Sequence, residues 1–343
     1  MNLQGSVGSS EIMTDYNNIL IIKMSSLGDI IHALPTLYAL RRRFPKARIT
    51  WAVHPAFSAL LPGMPWLDEI ILIDRKRIRQ FSYWKELRRD LHKRHFDLVI
   101  DLQMIAKSAV VSFLSGGKRK IGYWDAREGS FLASEPIKGA HQKGHIIEQL
   151  LDVATYLGCD TSEIHFPIRE HEKETETVRH LLAENGIGGR YVVLVPGTRG
   201  EHKKWPISHW GELAERLADD GIDTVISGGP GEEELGKEIK KISFSSHTVD
   251  LIGKTSLLEL CALDEMAALH ISGDTGPLHI ANAVGTPLIA LFGPTPYYRN
   301  GPLGNPAADV ILADDPGKET TKMETISVEA VYDLARKKLK AEK

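Results

Sequence analysis

Four short segments carry residue types whose chemistry suits a phosphate ester and a proton transfer. In residues 23–35, KMSSLGDIIHALP, an apolar run ends in Ser25, Ser26 and Gly28, which permit close approach, and Asp29 follows in the first turn of a helix. A carboxylate there can take a proton from an attacking hydroxyl. It can equally serve the bare N–H groups and dipole of the helix start. In residues 193–206, VLVPGTRGEHKKWP, a strand runs into a loop holding Gly197, Thr198, Arg199, Gly200, Lys203 and Lys204. Hydroxyls, free backbone N–H groups and an ammonium charge are what a diphosphate needs, although a merely solvated basic loop has the same composition. The spacing is not that of a P-loop.

The other two segments add a sugar-binding character. In SGGPGEEELG, residues 227–236, Glu234 stands where the dinucleotide fingerprint requires a third glycine, which disfavours an NAD site. Glu232 can grip ribose hydroxyls, or sit at a helix start with no ligand at all. In residues 270–296, Gly273, Asp274, Thr275 and Gly276 lead into Pro277 at the expected first helical position. The N–H groups of such a start can hold phosphate. Asp274 would repel phosphate and so suits sugar hydroxyls, unless Thr275 is simply the cap and Asp274 its dipole partner. No Asp-x-Asp occurs, and His141 and His145 lack a third ligand, so a metal-free site is expected. Lys203 and helix-start N–H groups must then neutralise a leaving diphosphate.

Alternating elements have to position these loops. NILIIK, RITWAVH, EIILID and DLVIDL in the first half are continuous apolar runs, as are YVVLVPG, DTVISGG, TVDLIG, LHISGD and PLIALFG in the second. Runs of that kind predict strands buried on both faces of a parallel sheet. Helical spacing between them, as in LGDIIHALPTLYALRRRF, makes the repeating unit βαβ. The expectation is an α/β protein of two doubly wound domains, residues 17–165 and 190–325, joined by a polar linker, 166–189. Residues 1–16 form a polar leader expected to lack stable structure, and residues 326–343 a C-terminal helix packing back on the first domain. Ligands of such sheets sit beyond the carboxyl ends of the strands, and the cleft between the domains is the default site.

Composition narrows the classes. The chain has 343 residues, 42% hydrophobic and 25% charged, with no apolar run near the roughly 18 residues of a spanning helix. Cys159 and Cys261 form no Cys-x-x-Cys pattern, which argues against a disulfide framework or zinc ribbon and for a reducing cytoplasm. The leader has no apolar core and is not read as a signal peptide. Residues 1–165 carry 22 Lys and Arg against 17 Asp and Glu, whereas residues 166–343 carry 20 against 28. Nine basic residues crowd positions 75–94. They form either a solvated helix face or a landing site for an anionic partner.

SSLGD, PGTRGEHKKWP, GGPGEEE and GDTGPLHIANAVGTP together resemble the ADP-heptose:lipopolysaccharide heptosyltransferases, glycosyltransferase family 9, over residues 18–342. SSLGDIIHALP, DLVIDLQMIAKSA and WDAREGS look most like the members that add the first heptose to Kdo. The resemblance implies a GT-B fold of two Rossmann-like domains facing a central cleft, the first for the acceptor and the second for the nucleotide sugar. It also implies inverting, metal-independent transfer onto a Kdo-lipid A acceptor. Carried over, the catalytic groups are Asp29 and Lys203. The donor site comprises Ser26, Gly28, Thr198, Lys203, Glu232, Thr255, Asp274, Thr275, Gly276 and His279. Arg127 matches an acceptor-side arginine, with Arg75, Arg77 and Lys107 expected to help steer the glycolipid. The loop ahead of Lys203 looks one residue longer than the pattern, which brings Lys204 into contention. No cofactor and no nucleic acid are implied, and a monomer working in the cytoplasm at the inner membrane surface is expected. The rivals are a family 9 enzyme with another nucleotide sugar, a GT-B-like epimerase acting on donor alone, and a two-domain solute-binding protein, which would normally carry an export signal.

Overall fold

A computed structural model describes residues 15–74, 76, 77 and 80–341. Arg75 and nearly all of the predicted leader lie outside the described residues. In the first half, β1 (Asn18–Ile22), β2 (Arg48–Val53), β3 (Glu69–Leu72), β4 (Leu98–Asp101), β5 (Arg119–Tyr123) and β6 (Glu135–Ile137) alternate with α1 (Leu27–Arg43), α2 (Phe81–His92), α3 (Ala106–Leu114) and α4 (Ile146–Tyr156). After α5 (Glu172–Glu184) come β7 (Tyr191–Val195), β8 (Asp223–Ile226), β9 (Thr248–Asp250), β10 (Leu269–Gly273), β11 (Leu288–Phe292) and β12 (Ala308–Leu312). Their helices are α6 (Ile207–Asp219), α7 (Glu233–Ser243), α8 (Leu257–Met266), α9 (Gly276–Val284), α10 (Tyr297–Asn300) and α11 (Val328–Ala341).

The sheets run β3-β2-β1-β4-β5-β6 and β12-β11-β10-β7-β8-β9, with every pairing parallel. Counted from each half's first strand, both have the doubly wound order 3-2-1-4-5-6, whose direction reverses between β1 and β4 and between β7 and β10. Strand β1 shows why four successive residues, Ile19 to Ile22, must be apolar. Ile19 and Ile21 face the core beneath α1 and α4, whereas Leu20 and Ile22 face the core beneath α2 and α3. All nine expected strands are present. Strands β5, β6 and β12 were not predicted: β5 opens on Arg119 and Lys120, β6 has three residues with a central Pro136, and β12 is a half-exposed edge.

Two boundaries need correction. The segment 166–189 is not an open linker, because α5 buries Val178 and Leu182 in a core that is continuous across the two halves. Helix α11 packs on the second sheet rather than on the first domain. Val328, Val331, Ala335 and Leu339 form a stripe at helical spacing that joins Trp210 and Leu213 of α6 and Ile271 of β10. Polar ties between Arg216 and Glu329 and between Arg336 and Asp220 flank that seam.

The halves meet where α1 and α9 begin. A Cβ at Gly28 would lie 2.5 Å from His279 Cδ2, and one at Gly276 would lie 2.6 Å from Leu27 Cδ2. Each glycine therefore makes room for the other helix's side chain. Pro277 is the second helical residue rather than the first, since α9 opens at Gly276 with Thr275 as cap.

Candidate active site

The loops leaving β1 and β4 face the loops leaving β7 and β10, so both strand-order reversals open into one cleft. A cavity of about 690 Å³ there is lined by Ser26, Gly28, Thr198, Lys203, Glu232, Thr255, Asp274, Thr275, Gly276 and His279, among others. A smaller one of about 300 Å³ shares Ser26, Gly28 and His279 with it and adds Lys23, Asp29, His32, Gln103, Tyr123, Arg127 and Arg299. All the predicted donor-side residues thus line the first cavity, and Asp29 and Arg127 line the second. Arg77 does not reach either, being paired with Glu86 at 2.6 Å over the Tyr83 ring. Lys107 is exposed on α3 and lines neither.

Asp29 is the third residue of α1. Its Oδ2 accepts the Ser26 N–H at 2.7 Å and the Ser26 hydroxyl at 2.9 Å, so it does cap the helix. Its other oxygen lies 3.8 Å from Lys23 Nζ, and the side chain keeps 40% of its surface exposed to the cleft. Burial pushes this carboxyl up. Lys23, the two Ser26 hydrogen bonds and His279 together outweigh that and hold it below the ordinary carboxylate value. Lys23 directly follows β1 and is almost fully buried, donating to the Leu102 carbonyl at 2.8 Å. Burial lowers its ammonium pKa, opposed by Asp29 and Asp101.

Gln103 fixes the loop that carries this pair. Its Oε1 accepts the N–H groups of Met24 and Ser25 at 2.8 and 3.2 Å, and its Nε2 donates to the Ser25 carbonyl at 2.7 Å. Asp101, fully buried at the end of β4, accepts the N–H groups of Gln103 and Met104, both at 2.9 Å. Desolvation raises its pKa to about 6. The loop after β1 is therefore held by the loop after β4, its neighbour in the sheet.

On the opposite wall, Lys203 Nζ lies 2.8 Å from Asp274 Oδ2. The Thr198 hydroxyl donates to the Asp274 carbonyl at 3.3 Å, tying the loop after β7 to the loop after β10. Lys204 turns the other way, pairs with Glu201, and lines neither cavity. Glu232 accepts the Gly229 N–H at 2.8 Å beneath the rim, and Gly197 has no room for a Cβ beside its carboxylate. The N-terminus of α9 faces the cavity, and its first turn, in which Pro277 has no N–H, leaves those of Gly276 and Leu278 without intrahelical partners, which favours an anionic guest.

A buried row of imidazoles joins the two walls. His32 Nε2 is 3.1 Å from His279 Nδ1, and His279 Nε2 is 3.9 Å from Asp274 Oδ1. His145 accepts the Ile147 N–H at Nδ1, so its Nε2 is the protonated nitrogen and donates to the Gly301 carbonyl at 2.8 Å. Burial lowers the pKa of all three rings, that of His32 furthest, which keeps them neutral. His141, paired with Asp152 at 2.7 Å, belongs to neither cavity. Among the described residues, no three His, Cys, Asp or Glu side chains are grouped to hold a metal ion.

Sequence reasoning missed Lys23, His32, Gln103, Tyr123 and Arg299. His32 lies one helical turn after Asp29, which is the one local signal for it, whereas Lys23 and Gln103 gain their place only when β1 and β4 become neighbours. Nothing in the local sequence singles out Arg299.

The model of glycosyltransferase family 9 (heptosyltransferase) matches residues 84–329, more than half of the chain. The chain is 27% identical to lipopolysaccharide heptosyltransferase 1 of Escherichia coli O18:K1:H7, over 89% of this chain and 94% of that one. It is 29% identical to lipopolysaccharide heptosyltransferase 3 of Escherichia coli K12, over 78% and 80% of the two chains. The solved structure of E. coli heptosyltransferase WaaC with ADP superposes with a TM-score of 0.77 at 27% identity, covering 94% of this chain and 99% of that one. The two six-stranded parallel sheets are thus those of the GT-B heptosyltransferases.

Proposed function

Because the chain belongs to glycosyltransferase family 9, the heptosyltransferases, we propose that it moves a heptose from ADP-heptose to the Kdo-lipid A inner core, with inversion at the anomeric carbon. The observation that carries this reading is the pair of adjoining cavities, one walled by Lys203 and a helix start, the other by the Asp29 carboxylate. The larger suits ADP, with Glu232 toward the ribose and Thr198, Lys203 and the α9 N-terminus toward the diphosphate. The heptose then spans the shared boundary at Ser26, Gly28 and His279. An acceptor hydroxyl in the smaller cavity meets Asp29, which is ionised at neutral pH and takes the proton as the new bond forms on the face opposite ADP. Lys203 and the α9 N–H groups stabilise the negative charge that grows on the leaving diphosphate. Arg127 and Arg299 supply positive charge for the acidic groups of the acceptor.

Kinship to both heptosyltransferases 1 and 3 makes the acceptor the part to test. ADP release from ADP-heptose should require de-heptosylated Kdo-lipid A and should be at least about tenfold slower with a core that already carries heptose. Release that demands the heptosylated core would make the chain a later-acting heptosyltransferase. Release from donor alone would point to hydrolysis or epimerisation. EDTA should leave the rate unchanged, since Lys203 and the helix start take the role a divalent cation has elsewhere. A strict need for Mg²⁺ or Mn²⁺ would overturn that assignment.

A further inference from the structure

We propose that the outer layer of the first half, formed by α2, α3 and the 3-10 turn Ser130–Leu132, docks on an anionic lipid bilayer. This rests on the lipid-linked acceptor proposed above. On α3, Lys107, Val110 and Phe113 recur every third residue and face solvent, whereas Ser108, Val111 and Ser112 face inward. Phe113 is 69% exposed. The 3-10 turn packs alongside, its following Ser134 hydroxyl 2.8 Å from that of Ser112, and holds Phe131 and Leu132 at 56% and 84% exposure. Helix α2 lies next to α3 and begins with Phe81, itself 74% exposed. Large apolar side chains presented together on one layer mark an interaction surface.

Charge says what kind of surface it meets. Lys120 Nζ stands 5.8 Å over the Phe113 ring and Lys85 Nζ 4.9 Å over the Phe81 ring. Lys85, Arg88 and Arg89 are exposed along α2, and Lys93 just past its end. The acidic neighbours are largely engaged: Glu86 by Arg77, Asp90 by Arg89 and Lys93, and Glu128 by the Ala106 N–H at 3.0 Å. Glu135 is exposed on the adjoining edge. Apolar tips set among lysines and arginines match the boundary between acyl chains and anionic headgroups. This gives a role to Lys85, Arg88, Arg89 and Lys93 of the basic run, which line neither cavity of the cleft.

Position ties the face to the reaction. Helix α3 begins three residues beyond Gln103, and the 3-10 turn three residues beyond Arg127, both of which line the smaller cavity. An acceptor whose sugar enters that cavity would have its acyl chains beside the exposed apolar side chains.

The test is co-sedimentation with vesicles of phosphatidylethanolamine and phosphatidylglycerol, against vesicles of phosphatidylcholine. The wild type should bind the anionic vesicles at least about tenfold more tightly. Combining Phe113→Ser with Leu132→Ser should weaken that binding by about tenfold or more, while turnover of ADP-heptose on a deacylated, water-soluble acceptor stays within about twofold. Combining Lys85→Glu with Arg89→Glu, which leaves the core untouched, should lower binding and its salt sensitivity together. Equal binding by wild type and both variants, or no preference for the anionic vesicles, would overturn the proposal. So would a dimer in sedimentation velocity that the serine substitutions dissociate, since a second copy would then cover the face. A wild type that binds anionic vesicles but turns over no ADP-heptose would uphold the docking face and refute the reaction.

Discussion

Each half contributes one lysine–aspartate pair to the cleft, with the exposure reversed: Lys23 and Asp29 both follow β1, whereas Lys203 follows β7 and Asp274 follows β10. In the first half Lys23 is 5% exposed and Asp29 40%, at 3.8 Å. In the second, Lys203 is 29% exposed and Asp274 14%, at 2.8 Å. A buried ammonium behind an open carboxylate presents a base, and a more deeply buried carboxylate behind an open ammonium presents a cation. Loop length produces the inversion. Four residues join β1 to α1, of which Lys23 is the first, which keeps the lysine against the strand and puts the aspartate on the helix. Eleven join β7 to α6, enough for Lys203 to reach across to the loop after β10. The same strand order thus presents a carboxylate on one wall and an ammonium on the other, which is the division the proposed reaction calls for.

Breaking the first pair should have the largest effect. Asp29→Asn keeps an acceptor oxygen for Ser26 but loses the base, so kcat should fall by about 10² to 10⁴ while donor affinity stays within a few-fold. A variant retaining a third of the wild-type rate would make Asp29 a helix cap alone. Breaking the second pair should be milder: Lys203→Ala should weaken ADP binding and slow transfer by at least about tenfold, roughly 1.4 kcal/mol. Lys204→Ala, which removes a surface pair with Glu201, should change either by less than about threefold. Calorimetry and steady-state kinetics on the single variants read both, and the reverse ordering would move the donor site by one residue.

Smaller changes sharpen the contrast. Gly28→Ala puts a methyl against a His279 ring already held by His32, and should cost about 1–3 kcal/mol in urea unfolding. Gly63→Ala, with open space around it, should stay within about 0.5 kcal/mol. Lys23→Met removes the strongest influence holding the Asp29 carboxyl down and leaves burial unopposed by it. The Asp29 pKa then rises, so the acid limb of the kcat/KM profile should move to higher pH. An unmoved limb would mean that another group sets it.

The sequence pattern made nine strands and their order of appearance legible, seven of them inner strands whose burial on both faces demands continuous apolar runs, the other two the apolar edges β3 and β9. Strands β6 and β12 escaped because an edge tolerates Pro136 or a mixed run, and the inner strand β5 because it opens on Arg119 and Lys120. Helix α11 was recognised as a helix, yet its stripe at Val328, Val331, Ala335 and Leu339 says only that it packs, not on which sheet. For the site, turns rich in glycine, hydroxyl and charge stood out because no core needs them. Lys23 and Gln103 did not, since their importance arises only when β1 and β4, far apart in sequence, become neighbours.

The most direct test of the divided roles is a calorimetric titration of ADP into the wild type, Asp29→Asn and Lys203→Ala. With the roles so divided, Asp29→Asn should bind ADP within about threefold of the wild type, while Lys203→Ala should bind at least about tenfold more weakly. Equal weakening in both variants, or loss of ADP binding in Asp29→Asn alone, would contradict the assignment of the base to one wall and the diphosphate to the other.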